Sequence, residues 1–437
     1  MEPSMAGAFP RKRIALLCAA ASILLPSVPA TRSIAAEIAV SSRTYLAYSE
    51  RDVPGGEKQT FAPLYEYLSA DARGVGGRPV SFHFYGWGRQ DLADDSGSDK
   101  RTGDLGSAYM SYLHPKGNGE VRLGRFFLVE GAAAEIMDGA FVKVRTGPGI
   151  GVSLYGGIPV ERSITSTKTG DSIYGGRLFF ASAGFLEIGA SYLFEKGPFQ
   201  GEDREVVGGD IWLRPGIPVE LTGRAAYNVS TEALASQKYV LRIFPIARVD
   251  FSVGYDFYKY NDLFQNALNP AFLTPAVDGR DEVRIVFADL DLEVAKGLTL
   301  EAGVKNIKHD LANPGDADRG EVGLRYAYND RKDAAGLSAA AVKADRDENE
   351  YEEYRAFATF SPGGWRFAVD ALTHRYKNAI DGIKEAWHAV GSAGWQALSY
   401  LKVSGDLTYN RSPRFKEDYA GLLRVSLDFG TVTGGTK

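Results

Sequence analysis

From Glu37 onward the chain alternates apolar and polar positions with a period of two. Val249, Phe251, Val253, Tyr255 and Phe257 share one parity, against Asp250, Ser252, Gly254 and Asp256 on the other. Leu186, Ile188, Ala190, Tyr192 and Phe194 alternate with Glu187, Gly189 and Ser191, and Leu401, Val403, Gly405, Leu407 and Tyr409 with Lys402, Ser404, Asp406 and Thr408. Val219, Leu221, Gly223, Ala225 and Tyr227 stand against Glu220, Thr222, Arg224 and Asn228 in the same way. Successive side chains of a strand point to opposite faces, so each segment predicts a strand with one apolar and one polar face. A soluble sandwich would show the same alternation.

The connections separate the two possibilities. Read as hairpins, residues 37–430 give about 22 strands (range 16–22) of the ~10-residue length usual in membrane barrels. Turns after even-numbered strands are short: Pro115–Asn118, Thr146–Gly149, Ser182–Gly184, Pro215–Gly216, Ser361–Gly364 and Ala397–Leu398. Those after odd-numbered strands are generally longer and more polar: Asp91–Gly103, Glu161–Asp171, Gly197–Glu205, Asn261–Arg280 and Asp310–Asp318. Sorting by parity is what an antiparallel transmembrane β-barrel shows, with short periplasmic turns and long outer loops. The expected fold is therefore an all-β barrel of this kind in the outer membrane of a Gram-negative bacterium.

Composition agrees. Gly 50, Tyr 23 and Phe 23 stand against Met 4 and His 5, a bias toward turn and strand residues. After the N-terminus no apolar run approaches the roughly 18 residues of a membrane helix. The N-terminus reads as an export signal, residues 1–36: Arg11, Lys12 and Arg13, then apolar Ile14 to Leu25, then small residues with cleavage expected after Ala36 or Ala30. The single cysteine, Cys18, falls inside it, so disulfides, thiolate metal sites and Cys-x-x-Cys-His haem attachment are not expected in the mature chain. The signal takes Arg11, Lys12, Arg13 and Arg32 but only Glu2 with it, and the acidic excess that remains is no nucleic-acid footprint.

At the other end, Tyr419, Leu423, Val425, Leu427 and Phe429 alternate with Ala420, Leu422, Arg424, Ser426 and Asp428. This looks like the closing-strand signal of outer-membrane proteins, read by the barrel-insertion machinery, although residues 431–437 follow as a tail. Aromatics near strand ends (Tyr45, Tyr48, Phe61, Tyr65, Tyr255 to Tyr260, Tyr326, Tyr328) fit interfacial girdles, or simple β-propensity.

A barrel of this width leaves an interior that side chains alone do not fill. Strand-like alternation begins at once with Ile38 and Val40, so no N-terminal plug is expected. Candidate lumen-lining residues are Lys143, Arg145, Glu187, Glu220, Arg224, Arg242, Asp250, Asp256, Asp289, Asp291, Glu301, Lys305, Glu321, Arg325, Arg366, Asp370, Lys402, Asp406 and Arg424. Rings of charge can select ions, but with the signs nearly balanced, pairing across neighbouring strands is the favoured reading. The longest loop, Asn261–Arg280, is unusually apolar, and Leu263, Phe264, Phe272 and Leu273 are candidates for a constriction or a docking surface. The acidic loop Asp91–Asp104 lacks EF-hand spacing, and the five histidines form no zinc pattern. No nucleophile elbow or Walker loop is present, so neither a catalytic residue nor a cofactor is expected.

One stretch carries a family resemblance: Arg122-Leu-Gly-Arg125-Phe-Phe, then Met137-Asp-Gly139, then Val152-Ser-Leu-Tyr155-Gly-Gly157. It resembles a run in porin-like proteins, including those of deltaproteobacterial metal reducers. The resemblance implies a porin-like channel passing ions or small solutes. It also implies an alternative, the sheath of a porin–cytochrome electron conduit, which would hold a multihaem cytochrome as partner in the lumen. An adhesin or structural barrel is a third class. Expected partners otherwise are outer-membrane lipid and lipopolysaccharide, with no nucleic acid, and the barrel is expected to be a monomer.

Overall fold

The computed structural model describes residues 36–51, 59–93, 101–162, 167–169, 171–196, 203–263, 279–311, 315–413 and 417–432. The expected export signal up to Ala35, most of the acidic loop after Asp91, and the end of the tail lie outside the described residues. So do Phe264, Phe272 and Leu273 of the apolar loop.

The chain forms one closed antiparallel barrel of 22 strands. In order they are Glu37–Arg51, Pro63–Arg73, Val80–Asp91, Arg101–Leu113, Gly119–Glu130, Ala133–Arg145, Ile150–Arg162, Ser172–Ser182, Leu186–Lys196, Arg204–Leu213 and Val219–Asn228. The second half continues with Ala233–Ile243, Val249–Lys259, Glu282–Ala295, Leu298–His309, Ala317–Tyr328, Asp333–Ala344, Tyr351–Phe360, Trp365–Ile380, Ile383–Leu398, Leu401–Arg411 and Asp418–Val432. Two short segments, Gln59–Phe61 and Thr167–Thr169, extend the hairpins on one side. Each strand pairs with its sequence neighbours, and the last pairs with the first along its whole length, Glu37 opposite Val432 to Arg51 opposite Asp418. Closure at the seam pairs the first and last strands and satisfies most of the ladder internally, as a sheet in lipid requires.

Tyr419 to Phe429 thus lie in the closing strand, which runs on to Val432. Turns after even strands are two to six residues long, and the 22-residue connection from Tyr260 to Asp281 lies on the opposite side. Both described ends of the chain sit on the short-turn side. One turn is displaced from the sequence reading. Strand Ile383–Leu398 keeps Ala397 and Leu398, and the chain reverses at Ser399–Tyr400. Gln396 Nε2 donates to the carbonyl oxygens of Leu398 and Leu401, which ties the reversal beyond the small and apolar pair that suggested it.

The outward face is apolar and open. Leu407 is 75% exposed and Leu337 65%, with Val304, Val322, Val369 and Leu423 on the same side. Exposed apolar surface on this scale marks contact with a non-aqueous medium. Aromatic rings bound the band: Trp365, Phe367, Trp395 and Phe429 toward the short turns, and Tyr48, Tyr354, Trp387 and Tyr419 toward the long loops. Trp365 stacks on Trp395 at 5.8 Å across the strand pair. No helix among the described residues is long and apolar enough to cross a membrane.

Candidate functional site: a hairpin folded into the lumen

Pairing registers carry all nineteen charged candidates onto one face of the sheet, opposite the exposed apolar face. That face is the inner one, since residues on it touch residues several strands away. Most of its charges find a partner of opposite sign. Arg325 donates to Glu301 at 2.8 Å, Lys238 to Asp256 at 2.9 Å, and Arg319 to Glu321 at 2.8 Å and Glu353 at 2.9 Å. Arg242 pairs with Asp250, Arg355 with Asp370, and Arg424 with Asp406. Cross-strand opposite charges are neighbours at ladder spacing, so the inner wall is largely self-neutralised. Arg145, Glu220, Arg224, Asp289, Asp291, Lys305, Arg366 and Lys402 share this face.

The interior also holds an element that the alternation did not predict. Strand Gly119–Glu130 pairs with its preceding neighbour only as far as Arg125, opposite Ala108. Strand Ala133–Arg145 pairs with its following neighbour only from Met137, opposite Pro159. Between these limits residues 126–136 pair with each other and with neither flank. The arm they form leaves the wall and lies across the inner face of the next strands. Its tip turns at Gly131–Ala132, where the Ala132 N–H donates to Ser191 Oγ at 2.9 Å. Arg204 holds Glu135 at 2.7 Å and Glu195 at 3.6 Å, and Arg177 holds Glu130 at 3.5 Å and Glu187 at 2.8 Å. Arg177 also pairs with Asp210, while Lys143 reaches Glu130 at 3.0 Å.

The arm buries one face. Phe126, Leu128, Ala133 and Met137 pack with Phe141 and with Tyr155, Ile173, Leu193 and Val206 of the wall, each at most 5% exposed. The other face, with Phe127 at 55% and Val129 at 65% exposure, looks away from the wall. Water on the inner side drives this burial, whereas lipid on the outer side offers an apolar side chain no such gain.

Glycine makes the departure possible. Gly124 opposes Gly139, which opposes Gly157, a row across three strands at the point where the arm bends away. Gly124 has φ +121°, and a Cβ there would strike the Ala108 carbonyl oxygen. A Cβ at Gly139 would strike the Gly156 oxygen, and one at Gly157 the Asp138 oxygen. Arg125 then spans the opening: its guanidinium donates to both oxygens of Asp138 at 2.7 Å and to the Leu105 carbonyl at 3.2 Å. The motif that carried the family resemblance is thus the hinge of the arm.

The base of the apolar loop is held close by. Leu263 ends a helical turn, Tyr260–Leu263, whose Asp262 pairs with Lys259 at the end of the preceding strand at 3.2 Å. Asn228, fully buried, donates through Nδ2 to the Asp262 carbonyl at 3.1 Å. The girdle reading fails for three rings. Tyr45 and Tyr65 face inward, because their register partners are Arg424, Arg89 and each other, and Tyr258 shares the inner face of its strand with Asp256. No group of three metal-ligating side chains occurs among the described residues.

A closed 22-stranded antiparallel barrel with an outer apolar band and a charged interior is a Gram-negative outer-membrane β-barrel. No family model and no curated protein matches the chain. Solved structures of outer-membrane barrels do. A chain of the E. coli P pilus tip assembly intermediate PapC-PapD-PapK-PapG aligns at 12% identity with a TM-score of 0.51, over 93% of this chain and 62% of that one. The chain therefore spans less than two thirds of that relative. Pseudomonas aeruginosa OpdK, solved with vanillate, aligns at 10% identity and a TM-score of 0.44 over 91% of this chain and 99% of its own. P. aeruginosa OccK2 (OpdF), solved with glucuronate, aligns at 13% and 0.44 over 91% and 100%. At such identities the likeness is one of fold.

Proposed function

We propose that this barrel is an outer-membrane channel for ions and small solutes, whose passage is narrowed by the inward arm, residues 126–136. The observation that carries the reading is the arm itself, pinned by a buried apolar layer and by Arg177 and Arg204. A ring of 22 strands spaced about 4.8 Å apart encloses a lumen on the order of 30–40 Å across, too wide for selective diffusion unless something occupies it. The arm is such an occupant, and the paired charges of the inner wall keep the remaining path hydrated without a strong field of one sign. The conduit alternative calls for an interior left free for a cytochrome, and the arm takes part of that space.

Planar-bilayer conductance of the purified barrel, refolded without partners, tests the proposal. Stable, reproducible open-channel steps are expected. A folded, heat-modifiable barrel that gives no steps would overturn it.

A further inference from the structure

The geometry points to a saccharide-binding cleft on the inner wall, and we propose that it takes an acidic oligosaccharide, one built of carboxylate-bearing sugar rings. The inference rests on the channel reading only for its physiological setting.

Four tyrosines meet on the inner face of three adjacent strands near the seam of the barrel. Tyr45 meets Tyr67 edge-on at 5.4 Å, and Tyr67 lies nearly parallel to Tyr65 at 6.2 Å and to Tyr85 at 6.4 Å. With Ser41, Ser69 and Arg43 they line a cleft of 490 Å³, within the ordinary size range of ligand sites. The rings differ from the inner-face aromatics Phe126 and Phe141, which the arm covers. The tyrosines are only half-buried, on a wall that is otherwise mostly charged or small. Two cations are already committed there: Arg89 sits over Tyr65 at 5.8 Å and pairs with Asp91, and Arg424 sits over Tyr45 at 5.0 Å. Arg43 is exposed and has no partner among the described residues.

A sugar ring has an apolar C–H face edged by hydroxyls. Phenol rings supply matching apolar faces and a polar tip. The Ser41 and Ser69 hydroxyls, 2.6 Å apart, supply donors and acceptors at the edge. A free guanidinium in such a setting selects a carboxylate, which it binds through two parallel N–H groups. An acidic sugar chain laid along the tyrosines satisfies both features, whereas a neutral one leaves Arg43 unused.

Isothermal titration of the intact barrel in detergent with trigalacturonate, and separately with maltotriose, tests the assignment. Trigalacturonate should bind saturably and more tightly than maltotriose. The double substitution Tyr67→Ala and Tyr85→Ala should weaken it at least tenfold, while Tyr67→Phe, which keeps the ring, should hold most of the affinity and report on folding. Arg43→Gln should bring trigalacturonate down to the level of maltotriose. No saturable heat from a heat-modifiable barrel, or affinity unchanged in the double alanine variant, overturns the cleft. Equal binding of both sugars to the parent overturns the role of Arg43. Binding without conductance would sink the channel reading and leave the cleft standing; conductance without binding would do the reverse.

Discussion

Loosening the arm should make the channel larger and noisier, and the structure sets the scale. Phe126, Leu128 and Met137 are at most 1% exposed, and all lie between the arm and a wall that otherwise faces water. Burying side chains of this size is worth about 1.5–3 kcal/mol each, so together they hold the arm with roughly 5–9 kcal/mol. Replacing a buried phenylalanine by alanine costs about 3–5 kcal/mol and a buried leucine about 2–5. The two belong to one cluster and do not add fully, but a loss of about 4 kcal/mol in Phe126→Ala/Leu128→Ala is a fair lower value. That is nearly three decades in the equilibrium between docked and undocked arm. A free two-stranded hairpin is marginal in water, so the undocked arm would also fray. The wall ladders below the hinge are untouched, so the barrel should still close and still shift with heat on gels. Single-channel recording of the double variant should then show higher mean conductance with frequent transitions. Conductance and noise identical to the parent, in a folded variant, would refute the idea that the arm governs the passage.

Three further outcomes follow from the same geometry. The pair Ala132→Cys and Gly208→Cys should crosslink on mild oxidation: a Cβ at Gly208 would lie 3.0 Å from that of Ala132, so the tip has only to give by about half an ångström to reach disulfide spacing, and the locked arm should lower current noise until reductant is added. Apart from Cys18 the sequence has no cysteine to compete. Arg177→Met should destabilise the barrel by about 3–5 kcal/mol in urea titration, since it leaves Glu130, Glu187 and Asp210 facing one another; a midpoint equal to the parent's would mean these carboxylates are not held by Arg177. Gly139→Val should abolish heat-modifiable folding or displace the arm, as its side chain would strike the Gly156 carbonyl oxygen, while valine in place of the open Gly391 should be tolerated.

The wall was legible in the sequence because lipid and water impose opposite demands on alternate residues. Val249 to Phe257 state that demand without ambiguity, and their register follows it. The arm was not legible. Phe126, Phe127, Leu128 and Val129 are apolar on both parities, so period two breaks where the strand faces wall on one side and lumen on the other. That break, set between Gly124 and Gly139, was the available signal, although it read as a family motif. Tyr45 and Tyr65 misled for a related reason: a tyrosine suits an interfacial girdle and a polar inner wall equally well, and only the ladder tells them apart. The Ala397–Leu398 turn shifted because strand ends depend on side-chain hydrogen bonds such as those of Gln396, which alternation does not encode.

The arm, in folding inward, also leaves something behind. Along residues 101–107 the strand keeps its ladder to Val80–Asp91 on one side, while its other side pairs no further than Ala108, and the Arg125 contact to Leu105 covers one carbonyl of that edge. Hydrocarbon offers such groups nothing, and each left bare in it costs several kcal/mol. Where that edge reaches the bilayer, headgroups, sugars or water have to meet it. Among the described residues the lipid-facing wall is therefore uneven around its circumference, and the bearing of residues 101–107 is one place where the surroundings must supply what the ladder does not.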